Sequence, residues 1–276
     1  MLFFNSSEVP RYKLVGQMKG HTDSVHSVAM TKGGNILASG GSDGVCLWEV
    51  KAQTQLSTPN QHHVQCGLVS CVLWVTRLPD TETLCYGTGL GYIVFWGQTK
   101  RRVRYSVGVQ VWNVDMRGQM RAIFSVQLDK TVPKGVTFSE SSEDIHVFGL
   151  YDSNVHILRG KDGKVLATHS VGTAIGHVTI YHQHNQFVVD NAVDGFDLYN
   201  LETGLFMRNF PTGIPKKRYP KQVAFGEDAR VVVGGSDHGA VYIFDRKTGK
   251  TLDVLFHAEE GLVQTITTVL PLRPTL

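Results

Sequence analysis

The sequence predicts an all-β fold built from one short unit used repeatedly, and three observations carry that prediction. Short alternating apolar runs, broken by turn residues, fill most of the 276 residues, which is the pattern of antiparallel strands joined by tight hairpins. A phrase recurs: Val132–Pro133–Lys134–Gly135–Val136–Thr137–Phe138 returns as Tyr219–Pro220–Lys221–Gln222–Val223–Ala224–Phe225, with its prolines 87 residues apart. The turns keep the same beat, with Gly163, Gly204 and Gly249 spaced by 41 and then 45 residues. The turn between second and third strands repeats as Asp43–Gly44, Asp152–Ser153–Asn154, Asp194–Gly195 and Asp237–His238–Gly239. Two periods of about 43 residues fit the interval, and that length with four strands per unit is a propeller blade.

Taken in order, the first blade uses Ser24–Met30, Ile36–Gly40 and Val45–Val50, with Tyr12–Met18 as a preceding outer strand. The second uses Leu68–Val75, Thr83–Thr88 and Tyr92–Trp96. Trp96 and Trp112 are only 16 residues apart, too few for four strands of about five residues each with their turns. Val103–Val114 therefore reads as the tail of a third blade whose first strands are missing. The fourth blade uses Gly135–Phe138, Ile145–Leu150 and Val155–Leu158; the fifth, His177–Tyr181, Phe187–Asn191 and Phe196–Tyr199. The sixth uses Gln222–Gly226, Arg230–Gly234 and Val241–Phe244. Outer strands follow at Ala122–Leu128, Val165–Ser170, Phe206–Phe210 and Thr251–Phe256, and Leu262–Thr268 reads as the inner strand of a seventh blade. The expectation is an incomplete seven-bladed propeller, five blades full and two partial, from a truncated or altered gene. It spans 12–270 between tails at 1–11 and 271–276.

The first unit runs from Gly20–His21 through Ser39 and Asp43 to Trp48–Glu49, and it resembles one WD repeat, the unit of the WD-repeat β-propellers. The resemblance implies a structural network: Trp48 donates to Ser39, Ser39 to the His21 ring, and His21 to Asp43. Such a chain gives each buried polar group a partner. The interval from Asp43 to Trp48 is one residue shorter than the usual pattern. Later blades carry Trp96–Gly97, Tyr199–Asn200 and Phe244–Asp245 in place of Trp48–Glu49, so they are expected to lack the full network and to rest on aromatic and aliphatic packing. Phe187–Val188–Val189–Asp190–Asn191–Ala192–Val193–Asp194–Gly195–Phe196–Asp197–Leu198–Tyr199 and Val231–Val232–Val233–Gly234–Gly235–Ser236–Asp237–His238–Gly239 are similar to divergent WD-repeat-like proteins of mushroom-forming fungi.

Composition excludes several classes. With 42% apolar residues, a chain this long buries roughly 75% of its unfolded surface. The net charge of +3 does not by itself call for nucleic acid or a membrane surface. Met1–Glu8 lacks the charged region and long apolar core of a signal peptide, and no run approaches the ~18 apolar residues of a membrane span. Four cysteines make no disulfide framework, so the expected place is a reducing one, the cytoplasm.

Candidate sites are few. His62, His63, Cys66 and Cys71 offer metal-binding atoms, but structural zinc wants two tightly spaced pairs, and a plain loop is the better reading. Asp190–Asp197 gathers carboxylates beside a glycine, yet Ala192 interrupts the alternate oxygen ligands that calcium needs. Ile214–Pro215–Lys216–Lys217–Arg218–Tyr219–Pro220–Lys221 is the sharpest positive stretch and enters an inner strand, which places it on the top face. Lys216, Lys217, Arg218 and Lys221, with His62 and His63 beside them, are the candidate contacts for an acidic or phosphorylated peptide; the cluster also reads as a nuclear import signal. Lys100–Arg101–Arg102–Val103–Arg104 supports the same argument less well, because it borders the damaged blade. No phosphate-binding Gly-rich loop with Gly-Lys-Ser/Thr and no His-Glu-x-x-His motif is present.

The function these readings favour is a non-catalytic protein-interaction scaffold needing no cofactor, with specificity in its loops. One rival is a propeller hydrolase or lyase with a metal in its central channel, which requires several carboxylates or histidines pointing at the axis. The other is a truncated chain without a function of its own.

Overall fold

A computed structural model describes residues 11–57, 67–78, 81–96, 99–102, 108–115, 119–140 and 142–268. The first blade is β1 (Val25–Met30), β2 (Ile36–Gly41), β3 (Gly44–Glu49) and β4 (Thr54–Leu56). The second is β5 (Val69–Leu78), β6 (Thr81–Thr88), β7 (Tyr92–Phe95) and β8 (Thr99–Arg102). The third sheet has two strands, β9 (Val109–Val114) and β10 (Met120–Val126). Full blades resume with β11 (Pro133–Phe138), β12 (Ile145–Gly149), β13 (Asn154–Leu158) and β14 (Val165–Ser170). The fifth blade is β15 (Val178–Tyr181), β16 (Gln186–Asp190), β17 (Gly195–Asn200) and β18 (Phe206–Pro211). The sixth is β19 (Val223–Gly226), β20 (Val231–Gly235), β21 (Ala240–Asp245) and β22 (Thr251–Phe256). In every four-stranded sheet sequence neighbours pair in order, antiparallel. The described residues thus form five four-stranded blades and one two-stranded sheet of an all-β propeller.

The fourth strands of the first two blades, β4 and β8, are additions to the sequence reading. Two expected strands are absent. Residues 13–20 and 262–268 carry no ladder pairing, since no strand among the described residues lies beside them to pair with; a lone strand has no ladder to join. Side chains hold both segments instead. Gln53 Nε2 donates to the Val15 carbonyl at 2.9 Å. The Val28 N–H donates to Thr265 Oγ1 at 3.2 Å, and the Ile266 N–H to Gln222 Oε1 at 2.8 Å. Farther back, Arg11 and the Tyr12 hydroxyl both reach the Glu227 carboxylate in the sixth blade.

Blades pack face to face through apolar side chains that alternate along each strand. Ala38, Val45, Val69, Val72, Leu84 and Tyr86 join the first blade to the second. Val109 joins Ile145, Val147 and Leu158, seating the two-stranded sheet on the fourth blade. Phe148 and Phe187 meet between the fourth and fifth blades with ring centroids 5.1 Å apart. Val188, Phe196 and Phe210 meet Val223, Val232 and Phe244 between the fifth and sixth. Glycines mark the tightest approaches: a Cβ at Gly40 would lie 2.4 Å from a Val69 methyl, and one at Gly234 would lie 2.0 Å from the Phe196 ring. None of these apolar clusters joins the second blade to the third, or the sixth to the first.

Phe196 is fully buried and Leu73 is 60% exposed, so the two should respond oppositely to truncation. Phe196→Ala should cost about 3–5 kcal/mol, and Leu73→Ala within about 0.5 kcal/mol, read from urea unfolding midpoints.

Candidate partner-binding surface

The loops between second and third strands, and those entering each inner strand, share one face of the propeller. A carboxylate in the second-to-third turn of the first, fourth, fifth and sixth blades ties that face together. In the first blade His21 Nδ1 lies 2.5 Å from Asp43 Oδ1, His21 Nε2 lies 2.7 Å from Ser39 Oγ, and Trp48 Nε1 donates to Ser39 Oγ at 2.8 Å. The Thr22 N–H donates to Asp43 Oδ2 at 2.6 Å, and the Thr22 hydroxyl donates to the same oxygen at 3.0 Å. The short Asp43–Trp48 interval is absorbed at Gly44, whose φ of 115° closes the hairpin where a side chain would be strained.

Later blades lack the His–Ser–Trp set of the first, as expected, yet build other networks in the same place, which packing alone did not anticipate. In the fourth, Thr131 Oγ1 donates to Asp152 Oδ2 at 2.6 Å and lies 3.0 Å from His156 Nε2, while His156 Nδ1 lies 2.9 Å from Thr168 Oγ1. In the fifth, Asn191 Nδ2 donates to Asp194 Oδ1 at 2.8 Å, and Asn209 Nδ2 to Asp197 Oδ1 at 2.8 Å. In the sixth, the Lys217 N–H donates to Asp237 Oδ2 at 2.8 Å, and His238 Nε2 lies 2.9 Å from the Tyr242 hydroxyl. Three of these carboxylates, Asp43, Asp152 and Asp237, fasten the loop that enters an inner strand, through Thr22, Thr131 and Lys217. Asp194 does the same for the chain leaving β18: its carbonyl accepts from the Thr212 N–H at 2.8 Å.

The electrostatics follow from these contacts. The Cys46 sulfur 4.0 Å away and the Asp43 carboxylate hold the His21 imidazole up at about 9, against the burial that lowers it. Burial raises Asp43, but His21 and the Thr22 donors outweigh it and bring the carboxyl to about 2. Burial also opposes ionisation of Asp237, yet the Lys217 N–H and the His238 ring keep it below the usual carboxylate range.

The basic loop divides. Lys216, Lys217 and Arg218 are exposed, with Lys216 Nζ 3.3 Å from the equally exposed Glu260. Ile214, 90% exposed, and Tyr219 and Tyr151 stand beside them; the Tyr151 hydroxyl donates to the Arg218 carbonyl at 3.4 Å. Lys221 does not belong to this surface. It is 1% exposed, with its ammonium 2.9 Å from Asp190 Oδ1 and its N–H donating to Asp190 Oδ2 at 2.7 Å. Its position two residues before the inner-strand ladder turns it under the loop, where Asp190 offers the compensating charge that burial demands. His62 and His63 lie outside the described residues, as do Cys66, Val103 and Arg104.

A concavity of about 440 Å³ lies among the inner strands, lined by Ser27, His177, Thr179, Tyr181, Gln222 and Thr265–Thr268. The metal-channel rival requires several inward acids or histidines. Here the lining has His177 alone, which burial chiefly, then the nearby Lys134, presses down to about 4. Among the described residues no three His, Cys, Asp or Glu side chains gather as metal ligands, and Asp190 and Asp197 are engaged by Lys221 and by Asn191 and Asn209.

Residues 12–49 match the family model for the WD domain, G-beta repeat, so the first blade is a WD repeat. The chain is 24% identical over 278 aligned residues to Protein tipD of Dictyostelium discoideum, across 91% of this chain and 44% of that protein. It therefore spans under half the length of this curated relative. A solved structure, the computationally designed Ika8 protein, is 17% identical with a TM-score of 0.45, covering 91% of this chain and 67% of that one; so slight a likeness carries no argument. No helix of the described residues is long and apolar enough to cross a membrane.

Two measurements test the chemistry of this face. Lys221→Met should destabilise the fold by about 3–5 kcal/mol, because it strands Asp190 buried and unpaired; a change below about 1 kcal/mol on chemical denaturation would contradict that role. For His21, ordinary value 6.5, the stabilising contribution is complete below that pH and disappears as pH rises through about 9. For Asp43, ordinary value 3.8, it is complete above that pH and disappears as pH falls through about 2. The melting temperature should therefore hold between these ordinary values, then fall toward pH 9, and Asp43→Asn should flatten the alkaline fall.

Proposed function

We propose that this propeller, whose first blade is a WD repeat, is a non-catalytic protein-interaction scaffold that receives an acidic or phosphorylated peptide on the loop carrying Lys216, Lys217 and Arg218. The observation that carries the reading is the division of that loop. Its backbone is fastened, by the Lys217 N–H to Asp237 and by the Arg218 carbonyl to Tyr151, while its three cationic side chains remain exposed. A fixed backbone lowers the entropy lost on binding, and three cations close together raise the local concentration of an anionic partner.

Glu260 supports the same reading. Its exposed contact with Lys216 is worth little in water, so an incoming carboxylate or phosphate can displace it at small cost. Ile214, Tyr151 and Tyr219 supply apolar and aromatic area beside the charges, and aromatic residues next to cations are the usual anchors of an interface. The exposed Lys216–Lys217–Arg218 run also reads as an import signal, which gives the scaffold a cytoplasmic place with access to the nucleus.

Reversing Lys216, Lys217 and Arg218 to Glu should weaken binding of an acidic or phosphorylated probe peptide by about tenfold or more. Fluorescence anisotropy at low and at physiological salt reads the effect, and wild-type affinity should itself fall as salt rises. Unchanged affinity in the triple variant at low salt would reject this loop as the site.

A further inference from the structure

Repeat-equivalent residues have opposite fates in the fourth and sixth blades. Val223 and Phe225 of β19 are 2% and 9% exposed, covered by the fifth blade. Their counterparts in the recurring phrase, Val136 and Phe138 of β11, are 57% and 58% exposed. Lys221 is buried on Asp190, the last residue of the preceding blade's second strand, whereas its counterpart Lys134 is exposed. The difference lies in the preceding blade. Before β19 stands the hairpin β15–β16; before β11 stands the third sheet, which among the described residues holds β9 and β10 alone.

The opposite wall shows the same vacancy. Past the bulge after Val69, Val72 and Val69 pack on Gly40 of the first blade. Cys71 and Leu73 alternate to the other face, and both are exposed. Phe95, farther out in the same blade, is buried. With Cys71 and Leu73 on one side and Val136 and Phe138 on the other all exposed, the inner half of the third position is open.

We propose that this open inner half is a docking slot for a β-hairpin donated by another protein. The hairpin is apolar on both faces and carries a carboxylate at the end of its second strand. Strand addition of this kind is an established mode of recognition. The walls set the occupant's chemistry: Leu73 with Cys71 on one side, Val136 and Phe138 on the other, and Lys134 at the end where Asp190 meets Lys221 in the complete pair. The slot is separate from the Lys216–Arg218 loop, and the triple Glu variant there should bind the hairpin normally.

The probe is a synthetic peptide of residues 177–191 of this chain, the hairpin that fills the equivalent position beneath the sixth blade. Alkylation of Cys71, followed residue by residue by mass spectrometry on the intact chain, reads occupancy. Cys85 is a poor competitor, since burial first, then Cys71, pushes its thiol up to about 11. Saturating peptide should slow Cys71 labelling about tenfold or more and leave Cys46 unchanged. Asp190→Asn in the peptide, or Lys134→Glu in the chain, should weaken the effect about tenfold. A Leu73→Glu chain that keeps the wild-type melting temperature should show no protection. Absence of protection at millimolar peptide would overturn the proposal. So would sedimentation as a dimer with Cys71 already shielded, which would make a second copy the occupant.

Discussion

Each blade here is a sheet with two apolar faces, and neither face can be left in water without cost. That constraint organises everything else. Phe148 needs Phe187, Phe196 needs Val223 and Phe244, and Val69 needs the bare backbone of Gly40. Fully burying such a side chain contributes about 1.5–3 kcal/mol, but only when the next sheet in the ring supplies the covering surface. A blade is thus stable as a member of a series and has little stability alone. Val136, Phe138 and Leu73 show the converse, with the same kinds of residue left bare where a neighbour is incomplete.

The polar networks solve a second problem, which is holding loops still over a core that cannot reach them. Asp43, Asp152 and Asp237 stand in equivalent turns, yet their partners are Thr22 with His21, Thr131, and the Lys217 N–H. Only the acceptor is retained. Any donor on the incoming loop will serve, because a carboxylate accepts from backbone, hydroxyl or imidazole alike. This freedom lets the sequences of the loops diverge while their anchorage persists.

Much of this was legible in the sequence, for physical reasons that can be named. The inner three strands of the full blades are short runs rich in apolar residues bounded by turns that carry Gly, Asp or Asn, so β1 to β3 and β15 to β17 were readable almost to the residue. The strands β4 and β8 were not, because Thr54–Gln55–Leu56 and Thr99–Lys100–Arg101–Arg102 carry no alternation and pair only as outer edges. The later networks escaped because they use Thr–His and Asn–Asp pairs in place of the expected His–Ser–Trp set. Lys221 escaped for a subtler reason. It sits in a basic run, in the same phrase as the exposed Lys134, and only the presence of Asp190 in the preceding blade separates the two. Local sequence does not encode a neighbour's completeness.

The extended segment 262–268 gives the molecule a further property. It touches the first blade through Thr265 and the sixth through Ile266, while Arg11 and Tyr12 reach back to Glu227. In engineering terms the chain is a hoop with a hook-and-eye fastening. Its joint is made of directional bonds between single residues, whereas the first blade holds the second, and the third sheet through the sixth blade hold one another, by broad, non-directional adhesion. Under load such a hoop parts at the fastening, or between the second blade and the third, before those staves separate. The width of the opening at its centre is then governed by a few hydroxyls and one amide side chain.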